Sequence, residues 1–152
     1  SQPDWYMGWP DGALRLFPNW EIRLGVYTVA NVFFPGVLLI GAVFTLIYLW
    51  PWIEARKFGD DETHNVLERP RDNPLRTGIG VGGLTFLGVL LVAGSSDVIS
   101  ITFGLSVNAV IWTLRVLLFV LPPITGRIAV QLCRELQARD RAEAPVESDS
   151  AR

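Results

Sequence analysis

Three long apolar runs separated by polar connections leave this chain few ways to fold. The first extends from about Ala30 to Trp50 and the second from roughly Gly78 to Ala93. The third starts near Ser106 and passes Pro122-Pro123 to about Leu132. A helix rises about 1.5 Å per residue, so about twenty residues cover the roughly 30 Å hydrocarbon core of a bilayer. Inside that core the backbone has no water to bond, which favours helices that satisfy their own N–H and C=O groups. Half of the 152 residues are apolar, and mean hydropathy is +0.34 although the connections are heavily charged. The sequence therefore predicts an all-α membrane protein with three transmembrane helices. It divides into an outer interfacial segment (1–29), a three-helix region (30–135) and a charged tail (136–152).

Residues 1–29 are too polar to span. Leu14, Leu16, Phe17, Trp20 and Ile22 alternate with Asp11, Arg15, Glu21 and Arg23, a mixture that suits a short helix or loop lying in the interface. Pro10 and Pro18 limit a helix here to about two turns, and three tryptophans in the first twenty residues fit the headgroup region. Tyr48, Trp50 and Trp52 form an aromatic belt at the far end of the first run. Pro35 falls in its first turn, where a missing N–H costs little. Residues 53–76 are hydrophilic and contain Pro70 and Pro74, so they read as a loop.

The second run is rich in glycine (Gly78, Gly80, Gly82, Gly83, Gly88), which in lipid lets helix backbones approach closely. Gly78-x-Gly80-x-x-Gly83 matches a dinucleotide-binding pattern in spacing only. No strand precedes it, no acidic residue follows at a suitable distance, and the run is apolar. Gly94-Ser95-Ser96-Asp97 breaks the run, and Val98–Leu105 returns along the surface. The double proline predicts a kink in the third span. The tail from Glu135 is charged and poor in large apolar residues, which predicts a short helical end followed by disorder. The chain opens without an initiator Met, within a motif, as a fragment or a trimmed chain would.

Basic residues set the expected orientation. The 53–76 connection holds five (Arg56, Lys57, Arg69, Arg71, Arg76) and 94–105 holds none. The chain from Arg127 onward holds five (Arg127, Arg134, Arg139, Arg141, Arg152), and the first 29 residues hold two (Arg15, Arg23). The positive-inside rule then puts the 53–76 loop and the C-terminus in the cytoplasm, with the N-terminal segment and Asp97 outside.

The chemistry-bearing stretch is the opening, Pro3-Asp4-Trp5-Tyr6-Met7. It sets a carboxylate and a phenol among aromatic surface at a membrane rim. This combination suits a small ligand that arrives through lipid and releases protons to water, as a quinol does. Asp4 can accept a hydrogen bond from a quinol hydroxyl and then its proton; equally, it can cap the turn that follows. Tyr6 offers a phenol to the ligand, or serves as an ordinary interfacial tyrosine. His64, alone in a charged loop, reads as a solvated histidine. The single Cys133 forms no disulfide within the chain and reads as packing. Arg115 is a full charge inside the third span, where intramembrane charges pair with protein or reach for water. It can pair with an acidic residue of a neighbouring subunit or snorkel towards lipid phosphate, and structural pairing is the expectation over a direct part in quinone binding. Glu54-x-Arg56-Lys57 and Arg69-Pro-Arg71 read as topology signals and lipid contacts.

Pro3-Asp4-Trp5-Tyr6 resembles the Pro-Glu-Trp-Tyr signature of the cytochrome b family, with Asp4 in place of the glutamate. Asp11-Gly12-Ala13-Leu14-Arg15-Leu16 resembles the actinobacterial branch of that family. Glu68-Arg69-Pro70-Arg71-Asp72-Asn73-Pro74-Leu75-Arg76-Thr77-Gly78 and Leu121-Pro122-Pro123-Ile124 are similar to the same branch. The likeness covers all but the last dozen or so residues and points to the C-terminal half of cytochrome b, the piece that is a separate subunit in b6f complexes.

The resemblance implies the outer quinol-oxidation site of a bc1-type quinol–cytochrome c oxidoreductase, in respiratory electron transfer coupled to proton translocation. It implies Asp4 as proton acceptor, one methylene shorter than the glutamate, with Tyr6 beside it and Pro3, Trp5 and Met7 shaping the pocket. Menaquinol is the substrate implied by the branch. The two b haems belong to the N-terminal half, and no residue of this chain is a haem or metal ligand. The implied partners are that haem-bearing half, a Rieske iron–sulfur protein, a c-type cytochrome and an aa3-type oxidase. The setting is a dimeric complex in a bacterial cell membrane, with no nucleic acid involved. The chain alone is not expected to turn over. The contrasting reading is a non-catalytic scaffold or assembly subunit that retains the fold. A transporter ranks last, because the spans are almost free of polar residues.

Overall fold

The computed structural model describes residues 5–58 and 69–149. A turn of 3-10 helix, Trp5–Met7, leads into α1 (Gly8–Leu16). A two-stranded hairpin follows, β1 (Ile22–Leu24) and β2 (Tyr27–Val29), and then α2 (Ile40–Phe58), entered through a stretch of π-helix, Phe34–Leu39. The remaining helices are α3 (Pro74–Gly94), α4 (Ser96–Phe103) and α5 (Val107–Asp149). The segments Phe34–Lys57, Pro74–Gly94 and Val107–Ala142 are long and apolar enough to cross a membrane. Much of their apolar surface faces outward, including Phe44, Ile47 and Tyr48 of α2. Water would penalise such surface and lipid does not.

The described chain forms two compact units. One contains residues 5–58 with 87–116, and the other residues 69–86 with 117–149.

In the first unit, α1 carries Pro10 within its first turn, where no intrahelical N–H is required. It ends where Phe17 turns extended (φ −67, ψ 135), since the residue before Pro18 is disfavoured in helical conformation. Ala13 and Leu16 of α1 are buried, as are Val89, Leu90 and Ala93 of α3, Ser96 and Ser100 of α4, and Val110 and Leu114 of α5. The hairpin departs from the helix or loop expected of residues 1–29. Ile22 pairs with Val29, Arg23 with Thr28 and Leu24 with Tyr27. The two-residue turn opens on Gly25 at φ 63, a conformation that a type II′ hairpin turn reserves for glycine. The signal was present in the sequence as β-branched and aromatic residues on either side of a glycine.

The first span also starts later than Ala30. Ala30–Phe33 is a turn, with Phe33 N–H bonded to the Ala30 carbonyl and Phe34 N–H to that of Asn31. The Asn31 side chain donates to Asn19 Oδ1 at 2.9 Å. Phe34 stacks on Phe17, with ring centroids 5.4 Å apart. At the other end the helix continues through Pro51 to Phe58. Tyr48 and Trp52 of the expected aromatic belt lie with ring centroids 5.4 Å apart. The segment expected to return along the surface is helical, as α4. It ends at Gly104 in the left-handed region, and the N–H groups of Gly104 and Leu105 both turn back to the Ser100 carbonyl. Ser106 then caps α5, its hydroxyl accepting from Ala109 N–H.

In the second unit, α3 and α5 meet almost backbone to backbone. A Cβ added at Gly78 would lie 2.9 Å from the Gly126 carbonyl oxygen, and one at Gly126 2.9 Å from that of Gly78. A Cβ at Gly82 would lie 3.2 Å from the Pro122 oxygen. The glycine run thus serves close helix packing at Gly78 and Gly82, whereas Gly80, Gly83 and Gly88 have open space around their Cα atoms. Thr125 Oγ1 donates to Thr85 Oγ1 at 2.9 Å, whose own proton goes to the Val81 carbonyl.

α3 begins at Pro74, a turn earlier than Gly78, because proline is well suited to a helix's first position. The turn before it is held by α5. Gln137 Nε2 donates to the Arg71 carbonyl at 2.6 Å, Arg71 pairs with Asp140 at 3.1 Å, and Cys133 lies against the Pro70 carbonyl. These contacts fall where the sequence predicts little more than a helix end, and α5 instead continues to Asp149. They also give Arg71 a protein partner where a lipid contact was expected. His64 and Glu68 lie outside the described residues.

Gly126→Ala should cost about 1–3 kcal/mol through overpacking, whereas Gly80→Ala should be neutral or slightly stabilising, since alanine is the better helix former. Thermal denaturation of the detergent-purified assembly compares the two directly.

Candidate functional site

The opening motif is seated by the helix that follows it. Gly8 and Gly12, one turn apart on α1, both face the last turns of α3. A Cβ at Gly12 would collide with the Leu90 carbonyl oxygen and lie 2.8 Å from Gly94 N; one at Gly94 would collide with the Gly8 carbonyl. At Gly8 the obstruction is Leu91 Cδ1, at 2.8 Å. The two backbones therefore touch, and the turn Trp5–Met7 emerges directly from that contact. Tyr6 is 56% exposed and Met7 50% exposed. Pro3 and Asp4 lie outside the described residues. Of the five expected site residues, Trp5, Tyr6 and Met7 are thus brought together on one short turn.

A polar clamp fixes the other half of α1. Arg15 Nε donates to Asp11 Oδ2 at 2.9 Å, an i,i+4 pair within the helix. Its Nη1 reaches Asp97 Oδ2 at 2.5 Å and Ser96 Oγ at 3.3 Å, at the start of α4. The Arg15 pKa is raised above its ordinary value, chiefly by the hydrogen bond to Asp97 and secondarily by Asp11, with burial opposing. A raised arginine pKa means that, while Asp11 and Asp97 are ionised, the stability linked to the charge is present below the unfolded pKa and is lost as pH rises through the folded-state pKa. The clamp thus keeps its cation throughout the physiological range. Arg15 and Asp97 are 82 positions apart, so no local pattern in the sequence pairs them. The Gly8-x-x-x-Gly12 spacing is the signal in the sequence for this close approach.

The C-terminus of α1 is held by the intramembrane charge. Arg115 Nε donates to the Leu16 carbonyl at 2.7 Å, one of the four carbonyls a helix end leaves without an intrahelical partner. Its guanidinium lies over the Trp112 ring, 4.9 Å from the centroid. Among the described residues its contacts are thus a backbone carbonyl and an indole ring.

An outward-facing set of apolar helices, with an amphipathic helix clamped at the rim by two arginines, defines a multi-span α-helical membrane subunit. No family model matches the chain. It is 45% identical over 141 residues to the cytochrome bc1 complex cytochrome b subunit of Corynebacterium efficiens, covering 93% of this chain and 26% of that protein. The subunits of the same name from Streptomyces coelicolor and Mycobacterium tuberculosis are each 39% identical, with the same coverage of both chains. The chain belongs to the cytochrome b family and corresponds to the C-terminal part of that subunit; it spans about a quarter of the length of the curated relatives it matches.

Arg15→Gln should loosen α1. Partly exposed ion pairs contribute at most about 1 kcal/mol, so amide exchange in Gly8–Leu16 should quicken roughly fivefold. Hydrogen-exchange mass spectrometry measures this, and exchange in the N-terminal half of α3 provides the unaffected reference.

Proposed function

We propose that this chain is the C-terminal part of the cytochrome b subunit of a quinol–cytochrome c oxidoreductase, and that it contributes the outer quinol-oxidation site. The observation that carries the reading is the turn Trp5–Met7. It stands next to Asp4 in sequence, emerges from the Gly8–Gly94 backbone contact, and carries Tyr6 and Met7 half exposed. The likeness to cytochrome b subunits of bc1 complexes supports the same assignment.

Oxidation of a quinol to a quinone releases two electrons and two protons. In this reading Asp4 accepts a hydrogen bond from one quinol hydroxyl and then takes its proton, passing it to the outer aqueous phase. The second hydroxyl loses its proton to the same side. Tyr6 donates a hydrogen bond to a ligand oxygen, and Pro3, Trp5 and Met7 form the wall. Rigid seating of the turn matters because a proton transfers only across a short, aligned contact.

The electrons leave through carriers outside these 152 residues. The resemblance to cytochrome b implies that each b haem is held by two histidines, and this chain has one histidine, His64, in the charged 53–76 connection. Its residues do not fit a haem, and the haems are assigned to the N-terminal half. Menaquinol is the substrate we assign. The partners are the N-terminal half, a Rieske iron–sulfur protein, a c-type cytochrome and an aa3-type oxidase, in a dimeric assembly. The distribution of basic residues supports an N-terminus outside and a C-terminus in the cytoplasm.

In the assembled complex, Asp4→Asn should slow quinol-driven reduction of the c-type cytochrome by about 10²-fold or more, the usual contribution of a positioned base. Asp4→Glu should retain turnover, and both should leave the b-haem absorption spectrum intact. Unchanged turnover in Asp4→Asn with an intact spectrum would transfer the chain to the scaffold reading.

A further inference from the structure

Arg115 retains unused hydrogen-bonding capacity. Among the described residues its contacts are the Leu16 carbonyl, through Nε, and the face of Trp112. Both are electrically neutral overall, so neither cancels the charge. A guanidinium has five N–H donors; the Leu16 bond takes one and leaves the two Nη groups, the paired fork that suits an oxyanion. A cation in a span without an anion is costly, and the cost is relieved by a partner or by contact with the headgroup layer.

The surroundings favour one source for that anion. Residues 112, 115 and 116 share a helix face by their i, i+3 and i+4 spacing, and Trp112 and Val116 are 57% and 58% exposed. Arg115 thus stands beside outward-facing apolar surface of a membrane-spanning helix. Its depth is set by the Leu16 carbonyl, the end of an amphipathic helix suited to the interface. Arg115 is about 12 Å along α5 from Val107, and its aliphatic stem allows the head to reach the level of α1. A guanidinium held over an exposed tryptophan at that level suits the anionic headgroup of a lipid.

We infer that Arg115, with Trp112 beneath it and the Leu16 carbonyl fixing its orientation, forms a binding site for the phosphate of a membrane phospholipid. The Nη groups donate to two phosphate oxygens, and the acyl chains lie along the exposed face that includes Trp112 and Val116. The bound lipid and the α1 C-terminus then share one cation, so lipid occupancy steadies the end of the interfacial helix.

Native mass spectrometry of the whole complex, released from mild detergent, tests this. The wild type should retain a phospholipid adduct that Arg115→Gln loses and Arg115→Lys keeps in part. Glutamine can still donate to the Leu16 carbonyl, so the variant removes charge with little change of shape. Addition of millimolar inorganic phosphate should not displace the adduct; displacement would identify a free-anion site and overturn the lipid assignment. The same lipid stoichiometry in Arg115→Gln as in wild type would overturn it, as would an Arg115-dependent cross-link to a partner carboxylate. The wild-type spectrum is decisive without any variant, because a complex carrying no tightly bound phospholipid has no such site.

Discussion

Close contact between backbones, made possible by missing side chains, is what the rest of this structure depends on. In lipid there is little hydrophobic force to press helices together, so association relies on dispersion and close approach. Gly8, Gly12 and Gly94 provide that approach between α1 and the end of α3, and Gly78, Gly82 and Gly126 provide it between α3 and α5. The first contact fixes where the opening motif stands. A side chain at Gly12 would lift α1 from its seat and move Tyr6 and Met7 with it.

Charge performs the remaining positioning, and each arginine involved acts in its own way. Arg15 joins Asp11 to Asp97 and so ties α1 to the start of α4. Arg115 caps the same helix at its C-terminus from inside a span. Arg71 pairs with Asp140 and, with Gln137, holds the turn that leads into α3. A helix of nine residues is too short to be stable alone, so α1 owes its order to the contacts of Arg15 and Arg115 and to its glycine seat on α3. That order in turn seats the turn Trp5–Met7, which leads directly into α1.

The sequence was informative where a signal is local. The three spans follow from hydropathy, the stop of α1 from Pro18, and the start of α5 from Ser106. Boundaries and short elements are less legible. Asn31 has apolar neighbours that read as a span, yet its side chain serves a turn through Asn19. The hairpin at 22–29 is hard to read because three-residue strands carry a weak periodic signal. Of the site, the motif itself was legible, and so was the chemistry a carboxylate and a phenol offer. The residues that support the motif were not, because Ser96 and Asp97 look like any polar interruption between helices until α1 is laid against them.

What the sequence by itself determined is therefore the medium and the inventory. Runs of apolar residues of membrane-spanning length dictate helices in lipid, since the bilayer selects on composition and length alone. The glycine-rich second run likewise announces close packing. Only the tertiary structure decided which partners meet: Arg15 with Asp97 across 82 positions, Arg115 with the Leu16 carbonyl across 99, and Arg71 with Asp140 across 69. It also decided which glycines are in contact, Gly78 and Gly82 but not Gly80 or Gly83. The physical reason is that a pairing between distant residues depends on the rotation and register of whole helices. Those are fixed by the packing of many side chains at once and leave no mark in the local pattern around either partner.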